Sequence, residues 1–133
     1  MKEALLIMAH GSPHPAANEP VFRVLEILRA REAYPIVALG FLECNKPRIP
    51  EAIQACVAQE AKRIIAVPFF LHTGNHVAED LPALLQEAQG RYPHVEFRLG
   101  GFLGKSSRLT NILAARALAT IRQASPLSNR PFV

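Results

Sequence analysis

The chain has 133 residues, of which 50% are apolar and 20% charged, a balance typical of a globular protein with one hydrophobic core. Its net charge of +4 comes without a basic cluster interleaved with aromatic residues, which argues against a nucleic-acid-binding protein. We expect a cytoplasmic protein, because the apolar segments are too short to cross a membrane, no stretch has a signal-peptide pattern, and Cys44 and Cys56 suit neither a disulfide scaffold nor a zinc motif.

Apolar segments alternate with amphipathic ones along the chain. Continuous apolar runs predict strands, and apolar residues at helical spacing predict helices. Asn18 is the predicted N-cap of the first helix, Pro50 and Pro82 suit first helical positions, and Gly90 predicts a helix end. In chain order the elements are strand 4–9, helix 18–33, strand 35–42, helix 50–61, strand 63–71, helix 82–89, strand 95–99 and helix 107–123.

This alternation predicts one doubly wound α/β domain over residues 1–124, followed by a coil tail at 125–133. The first and third strands are apolar throughout, so both of their faces are covered and they lie centrally. The fourth strand alternates apolar and polar residues, which indicates an edge. A four-stranded parallel sheet of order 2-1-3-4, with helices on both faces, satisfies these patterns with right-handed crossovers. Pro68, in a central strand, predicts either a bulge or an early end of pairing.

Ligands of such sheets bind beyond the carboxyl ends of the strands. The preferred place lies between two neighbouring strands whose following segments turn to opposite faces of the sheet. For this order that place lies between the first and third strands, and His10 is the first residue after the first strand. A third helix that begins only near Asp80 leaves His72 and His76 on a loop beside His10. Gly11 and Gly74 then allow sharp turns and a close approach of the backbone to a ligand.

Glu43 follows the second strand and reaches the same rim of the sheet. Imidazole with carboxylate suits Co²⁺, Ni²⁺, Fe²⁺ or Zn²⁺, and it equally suits acid–base catalysis. A histidine phosphatase carries arginine before the histidine, where this chain has Ala9. The sequence lacks the acidic residues that a response regulator carries after its first strand and the hydroxyl-rich loop of a flavodoxin. It also lacks GxGxxG and Walker-type loops.

Three segments resemble the small CbiX-type sirohydrochlorin chelatases of the class II chelatase group. They are AHGSPHPAANEPV at 9–21, GFLECNKPRIPEAI at 40–53 and VPFFLHTGNHVAEDLPALL at 67–85. The resemblance runs from about Ala4 to Leu118, and the three blocks together are specific although each alone is weak. It implies a chelatase-like, flavodoxin-like fold and an enzyme that inserts a divalent metal into sirohydrochlorin. Cobalt for cobalamin is the first expectation, and iron for sirohaem or nickel for a related cofactor follow.

The resemblance also implies roles for individual residues. His10 and His76 match the metal-binding histidines, and Glu43 matches a glutamate that serves as a third ligand or proton acceptor. These three are the implied catalytic and metal-binding residues. The implied tetrapyrrole-lining residues are Lys46, Leu71, His72, Thr73, Gly74, Asn75 and His76.

Metal ion and tetrapyrrole are substrates in this interpretation, and no permanently bound cofactor is expected. The positive net charge suits sirohydrochlorin, which carries eight carboxylates. Longer members of the family carry two such domains in one chain, so we expect a homodimer here, with neither nucleic acid nor membrane as partner. The alternatives are a metal- or tetrapyrrole-binding protein without turnover and a histidine-based hydrolase.

Overall fold

A computed structural model of the chain describes residues 1–123, apart from the side chain of His76. The predicted tail at 125–133 lies outside the described residues. The strands are β1 (Glu3–Ala9), β2 (Ile36–Phe41), β3 (Arg63–Pro68) and β4 (Glu96–Leu99). The helices are α1 (Glu19–Arg31), α2 (Ile49–Ala58), α3 (Asn75–Arg91) and α4 (Arg108–Arg122). Two short 3-10 turns, Pro15–Asn18 and Leu103–Lys105, precede α1 and α4.

The sheet has the order β2-β1-β3-β4 with every pair parallel, which confirms the predicted topology. Ile7 of β1 pairs with Leu39 of β2 on one side and with Val67 of β3 on the other. β1 is buried from Ala4 to Ala9 because it has a neighbouring strand on each side and apolar packing on each face.

Two apolar clusters lie on opposite faces of this sheet. Leu6 and Met8 of β1 pack with α2 and α3, where Ile53 and Leu85 are buried. Leu5 and Ile7 of the same strand pack with α1 on the other face. Alternate residues of β1 therefore feed the two clusters, as the period of a strand requires.

Pro68 ends β3. It is the last residue of that strand paired with β1, opposite Met8, and the Phe69 N–H then donates to the Met8 carbonyl at 2.7 Å. A proline at the last paired position leaves no interior donor missing from the ladder. Of the two possibilities for Pro68, the structure shows an early end of the strand.

The expected start of α3 near Asp80 is wrong. The helix begins at Asn75, so Pro82 lies inside it, and it continues through Gly90 to Arg91. Proline lacks an N–H and disfavours a helix interior, but the burial of Leu81 and Leu85 against the sheet outweighs that preference. His76 consequently lies in the first turn of α3 and not on a loop.

None of the helices in the described part of the chain is both long and apolar enough to span a membrane. The two cysteines are free thiols in different environments. Cys56 is fully buried in α2, and this burial raises the pKa of its thiol to about 11, whereas Cys44 is exposed.

We expect a thiol reagent at neutral pH to modify one cysteine in the native protein and the second only after unfolding. Cys44 is accessible, while Cys56 is shielded and, because of its raised pKa, carries almost no thiolate. Ellman titration with and without urea measures this. Two thiols that react equally fast in native protein would contradict the buried position of α2.

Candidate metal centre

His10 and Glu43 meet just beyond the ends of β1 and β2. The Leu42 N–H donates to the Ala9 carbonyl at 2.8 Å, and the Glu43 N–H donates to the His10 carbonyl at 3.0 Å. The segments that follow β1 and β2 therefore stay hydrogen-bonded to each other for two residues beyond the end of β2. His10 Nε2 lies 3.3 Å from Glu43 Oε1, with the side chains 51% and 56% exposed. The structure thus brings together two of the predicted site residues at the open rim of the sheet.

His10 has an acceptor oxygen close to each of its ring nitrogens. Nδ1 lies 3.1 Å from the Gly11 carbonyl oxygen, and Nε2 faces the Glu43 carboxylate. A carbonyl and a carboxylate both only accept hydrogen bonds, so which ring nitrogen donates depends on the tautomer of His10. With a metal ion bound at Nε2, the Gly11 carbonyl is the acceptor for the proton on Nδ1, and a backbone contact that fixes the other ring nitrogen is typical of metal-binding histidines.

Gly11 is required because the loop after β1 passes close to the backbone carbonyl of Glu43. Its φ is +93°, and a Cβ at this position would lie 1.9 Å from the Glu43 carbonyl oxygen. Both the conformation and the space therefore exclude a side chain. Gly74 differs, because a Cβ there would meet open space and its φ is −75°.

Asn45 joins the loops that carry His10 and Glu43. Its Oδ1 accepts hydrogen bonds from the Ser12 N–H at 2.7 Å and from Asn18 Nδ2 at 3.1 Å. Asn18 occupies the predicted N-cap position, but its side chain makes no capping bond, and it is 6% exposed. Sequence reasoning missed this pair, and the available signal was an asparagine two residues after Glu43.

Phe70 brings the segment after β3 to His10. The two ring centroids lie 6.4 Å apart with an interplanar angle of 90°, an edge-to-face contact. Phe70 also packs against the cluster formed with α2 and α3. The sequence predicted no contact of Phe70 with His10, and this contact joins the segments that follow the paired strands β1 and β3.

The other predicted site residues occupy two neighbouring segments. Lys46 is exposed in the loop between β2 and α2. The loop after β3 is mostly exposed, at Leu71, His72 and Gly74, while Thr73 is half-buried. Asn75 and His76 open α3, and the side chain of His76 is outside the described part. Without it, no group of three or more His, Cys, Asp or Glu side chains in residues 1–123 could hold a metal ion.

The CbiX family model matches residues 4–120 of the chain. This protein belongs to the CbiX family. The match includes all four strands except Glu3 and every predicted site residue, so the paired His10 and Glu43 lie within the region that defines the family.

Relatives of this CbiX-family chain include named chelatases. The sirohydrochlorin cobaltochelatase of Methanococcus aeolicus is 43% identical over 83 residues, 62% of this chain and 58% of that protein. The sirohydrochlorin ferrochelatase of Bacillus subtilis is 35% identical over 104 residues, 78% of this chain and 40% of that one. The sirohydrochlorin chelatase SirB of Bacillus subtilis subspecies spizizenii, solved in complex with cobalt, superposes with a TM-score of 0.82 at 31% identity, over 90% of this chain and 51% of SirB. The chain thus spans about 40 to 60% of these relatives.

Replacing Asn45 with Ala in this CbiX-family chain is expected to weaken metal binding about tenfold. The change removes the acceptor for Ser12 and leaves the buried Asn18 amide without its partner, so the two loops separate. Isothermal titration with Co²⁺ measures the dissociation constant. Gln54→Ala, at an exposed position of α2, is the control and should bind as the wild type does. Equal affinity in both variants would show that Asn45 does not position the site.

Proposed function

We propose that this chain is a sirohydrochlorin chelatase, a lyase that inserts a divalent metal ion into sirohydrochlorin. The observation that carries the proposal is the meeting of His10 Nε2 and Glu43 Oε1 at 3.3 Å on the open rim of the sheet. An imidazole nitrogen and a carboxylate oxygen are both ligands that a divalent transition metal accepts, and here they face each other. Membership of the CbiX family and relatives named sirohydrochlorin cobaltochelatase and ferrochelatase support it.

The proposed chemistry divides between the metal and the macrocycle. His10 and His76 hold the incoming metal through neutral imidazole, while Glu43 is a third ligand. Insertion also removes two protons from the ring nitrogens, and the imidazoles and the carboxylate accept them as the metal transfers. The metal ion is a substrate in this proposal, and no resident cofactor takes part.

The tetrapyrrole is proposed to lie over the rim between the loop after β2 and the loop after β3. Lys46 and the segment 71–76 line this tetrapyrrole site. The exposed Lys46 ammonium pairs with the peripheral carboxylates, and the net charge of +4 attracts a polyanionic substrate. The edge-to-face contact of Phe70 with His10 then holds the metal-binding ring at the floor of this crevice.

Cobalt is the proposed metal, for cobalamin biosynthesis, followed by iron and nickel. The test is anaerobic mixing of sirohydrochlorin with Co²⁺, Fe²⁺ or Ni²⁺ and a fiftyfold deficit of protein, followed by absorbance. Many turnovers, fastest with Co²⁺, are expected. At most one equivalent of product per protein would indicate a binding protein without turnover, and hydrolysis of phosphate or acyl esters instead would indicate the histidine-based hydrolase.

We further propose that the chain acts as a cytoplasmic homodimer, with residues 1–124 forming one domain. The structural match covers 51% of SirB, and we infer that a second copy of this domain corresponds to the rest of SirB. The free thiols of Cys44 and Cys56 suit a reducing compartment.

A further inference from the structure

Arg48 lies directly before α2, at a position that is unfavourable for an arginine. Ser, Thr, Asp or Asn is preferred there, because a short side chain accepts a hydrogen bond from the first turn of the helix, whereas a guanidinium has no acceptor. The backbone at this point is firmly held. The Phe41 N–H donates to the Pro47 carbonyl at 2.8 Å, and Ile49 is fully buried. An exposed, locally unfavourable side chain on a fixed backbone is typical of a functional position.

The Arg48 guanidinium lies against the peptide group that joins Leu42 and Glu43. Arg48 Nη1 donates to the Leu42 carbonyl at 3.1 Å. The N–H of the same peptide group belongs to Glu43, and it donates to the His10 carbonyl at 3.0 Å. This peptide bond is trans, so its N–H and its C=O point in opposite directions. Arg48 and His10 are therefore bonded to opposite sides of one peptide group at the rim of the sheet.

The Arg48 guanidinium keeps most of its capacity to bind an anion. The bond to the Leu42 carbonyl uses only part of its planar set of N–H donors. In the part of the chain that the structure describes, no carboxylate forms an ion pair with this side chain. The nearby Glu51 carboxylate accepts from the Arg48 backbone N–H at 3.3 Å, whereas Arg63, at the other end of the sheet, is held between two glutamates. Arg48 thus presents an anchored positive charge at the rim.

The place of this charge suits the edge of a tetrapyrrole whose centre lies over the metal. The carboxylates of sirohydrochlorin surround the ring at a distance from its nitrogens, so a cation that binds them must lie to one side of the metal. Arg48 lies across a peptide group from His10 and forms no ion pair with Glu43. Arginine binds a carboxylate through two parallel N–H···O bonds, which fixes the direction of approach, whereas the ammonium of the exposed Lys46 acts as a point charge.

We propose that Arg48 binds one peripheral carboxylate of the tetrapyrrole and so orients the macrocycle over His10 and Glu43. The inference rests on the chelatase proposal and adds to it a residue that selects a carboxylate at one fixed position of the ring. A guanidinium already bonded to the backbone loses little further side-chain freedom on binding, which favours a directed contact. Tetrapyrroles that lack a carboxylate at that position should therefore bind this chain less tightly.

Arg48→Ser tests this role in the full chain, because serine is a preferred residue before a helix and should keep α2 intact. We expect the dissociation constant for sirohydrochlorin without metal, measured by the fluorescence of the tetrapyrrole, to rise about tenfold as a charge-assisted bond is lost. In the insertion assay KM for sirohydrochlorin should rise by the same factor, while kcat and the dissociation constant for Co²⁺ stay unchanged. Lys62→Ala is the matched control. It removes one positive charge next to the amino end of β3 and should leave all of these constants unchanged.

Arg48→Lys separates a directed bond from the effect of charge. Lysine keeps the charge without the planar fork, so its affinity for sirohydrochlorin should lie between those of the wild type and Arg48→Ser. Wild-type affinity in either Arg48 variant would overturn the proposal and leave the chelatase proposal standing. A lower kcat at unchanged KM, with a lower free energy of unfolding in urea, would overturn it by showing that Arg48 only supports α2. Weaker binding in Arg48→Ser, together with a wild type that inserts no metal, would support the role of Arg48 and refute the chelatase proposal alone.

Discussion

His10→Ala is expected to lower kcat/KM for metal insertion about 100-fold or more. The change removes the ring nitrogen Nε2 that faces the Glu43 carboxylate, and with it one proposed metal ligand and one proposed proton acceptor. The side chain is half-exposed, so the fold should survive and the circular dichroism spectrum should be unchanged. The measurement is the initial rate of anaerobic Co²⁺ insertion at several substrate concentrations.

Two further variants are compared with His10→Ala, one as a control and one to identify the principal base. His14→Ala, at an exposed position in the same loop, should keep the wild-type rate. Glu43→Gln should lose less than His10→Ala, because glutamine keeps the shape and one acceptor oxygen. A larger loss at Glu43 would make the carboxylate the principal base, and near-wild-type rates in His10→Ala would show that the metal binds elsewhere.

Gly11→Ala is expected to damage both stability and activity. The residue has a φ of +93°, and a Cβ would lie 1.9 Å from the Glu43 carbonyl oxygen, so the backbone of one of the two loops must move. Strain of this kind lowers the free energy of unfolding by about 2 kcal/mol. Movement of either loop also separates His10 from Glu43, so insertion should fall by at least about tenfold. Urea unfolding and the insertion assay measure the two effects.

Gly90→Ala is the matched control for that substitution. Gly90 lies in α3, and a Cβ added there would have no atom within 4 Å, so alanine should raise the free energy of unfolding by about 0.5–1 kcal/mol through helix propensity. Activity should not change. Equal effects of the two substitutions would mean that the loop after β1 is free to move and that its contact with Glu43 is unimportant.

The central position of β1 was predictable because its composition is apolar throughout, and the strand is buried from Ala4 to Ala9. Burial alone does not identify the central strands, since the edge strand β2 is buried at five of its six residues and the central strand β3 only at alternate ones. The bounds of α3 were not predictable in the same way. The local preference of Pro82 is for the start of a helix. The helix nevertheless continues through Pro82, because Leu81 and Leu85 are buried on either side of it.

The position of the candidate site followed from topology, but its internal contacts did not. His10 and Glu43 come directly after neighbouring parallel strands, so sheet order alone predicts that they are close. The bond between Asn18 and Asn45 joins two loops 27 residues apart and has no periodic signal in the sequence. The apolar face of α4 was readable, yet its spacing carries no information on whether it packs within one chain or between two.

The coordination of metal by His10 is tested most directly by long-range ¹H–¹⁵N correlation spectra of the histidine rings during titration with Zn²⁺, a diamagnetic ion. The contact of Nδ1 with the Gly11 carbonyl predicts that Nδ1 carries the proton in the metal-bound form. Nε2, which faces Glu43, should change its shift in proportion to bound metal. A metal-saturated protein in which the His10 Nε2 resonance is unchanged would contradict the assignment of His10 and Glu43 as the metal centre.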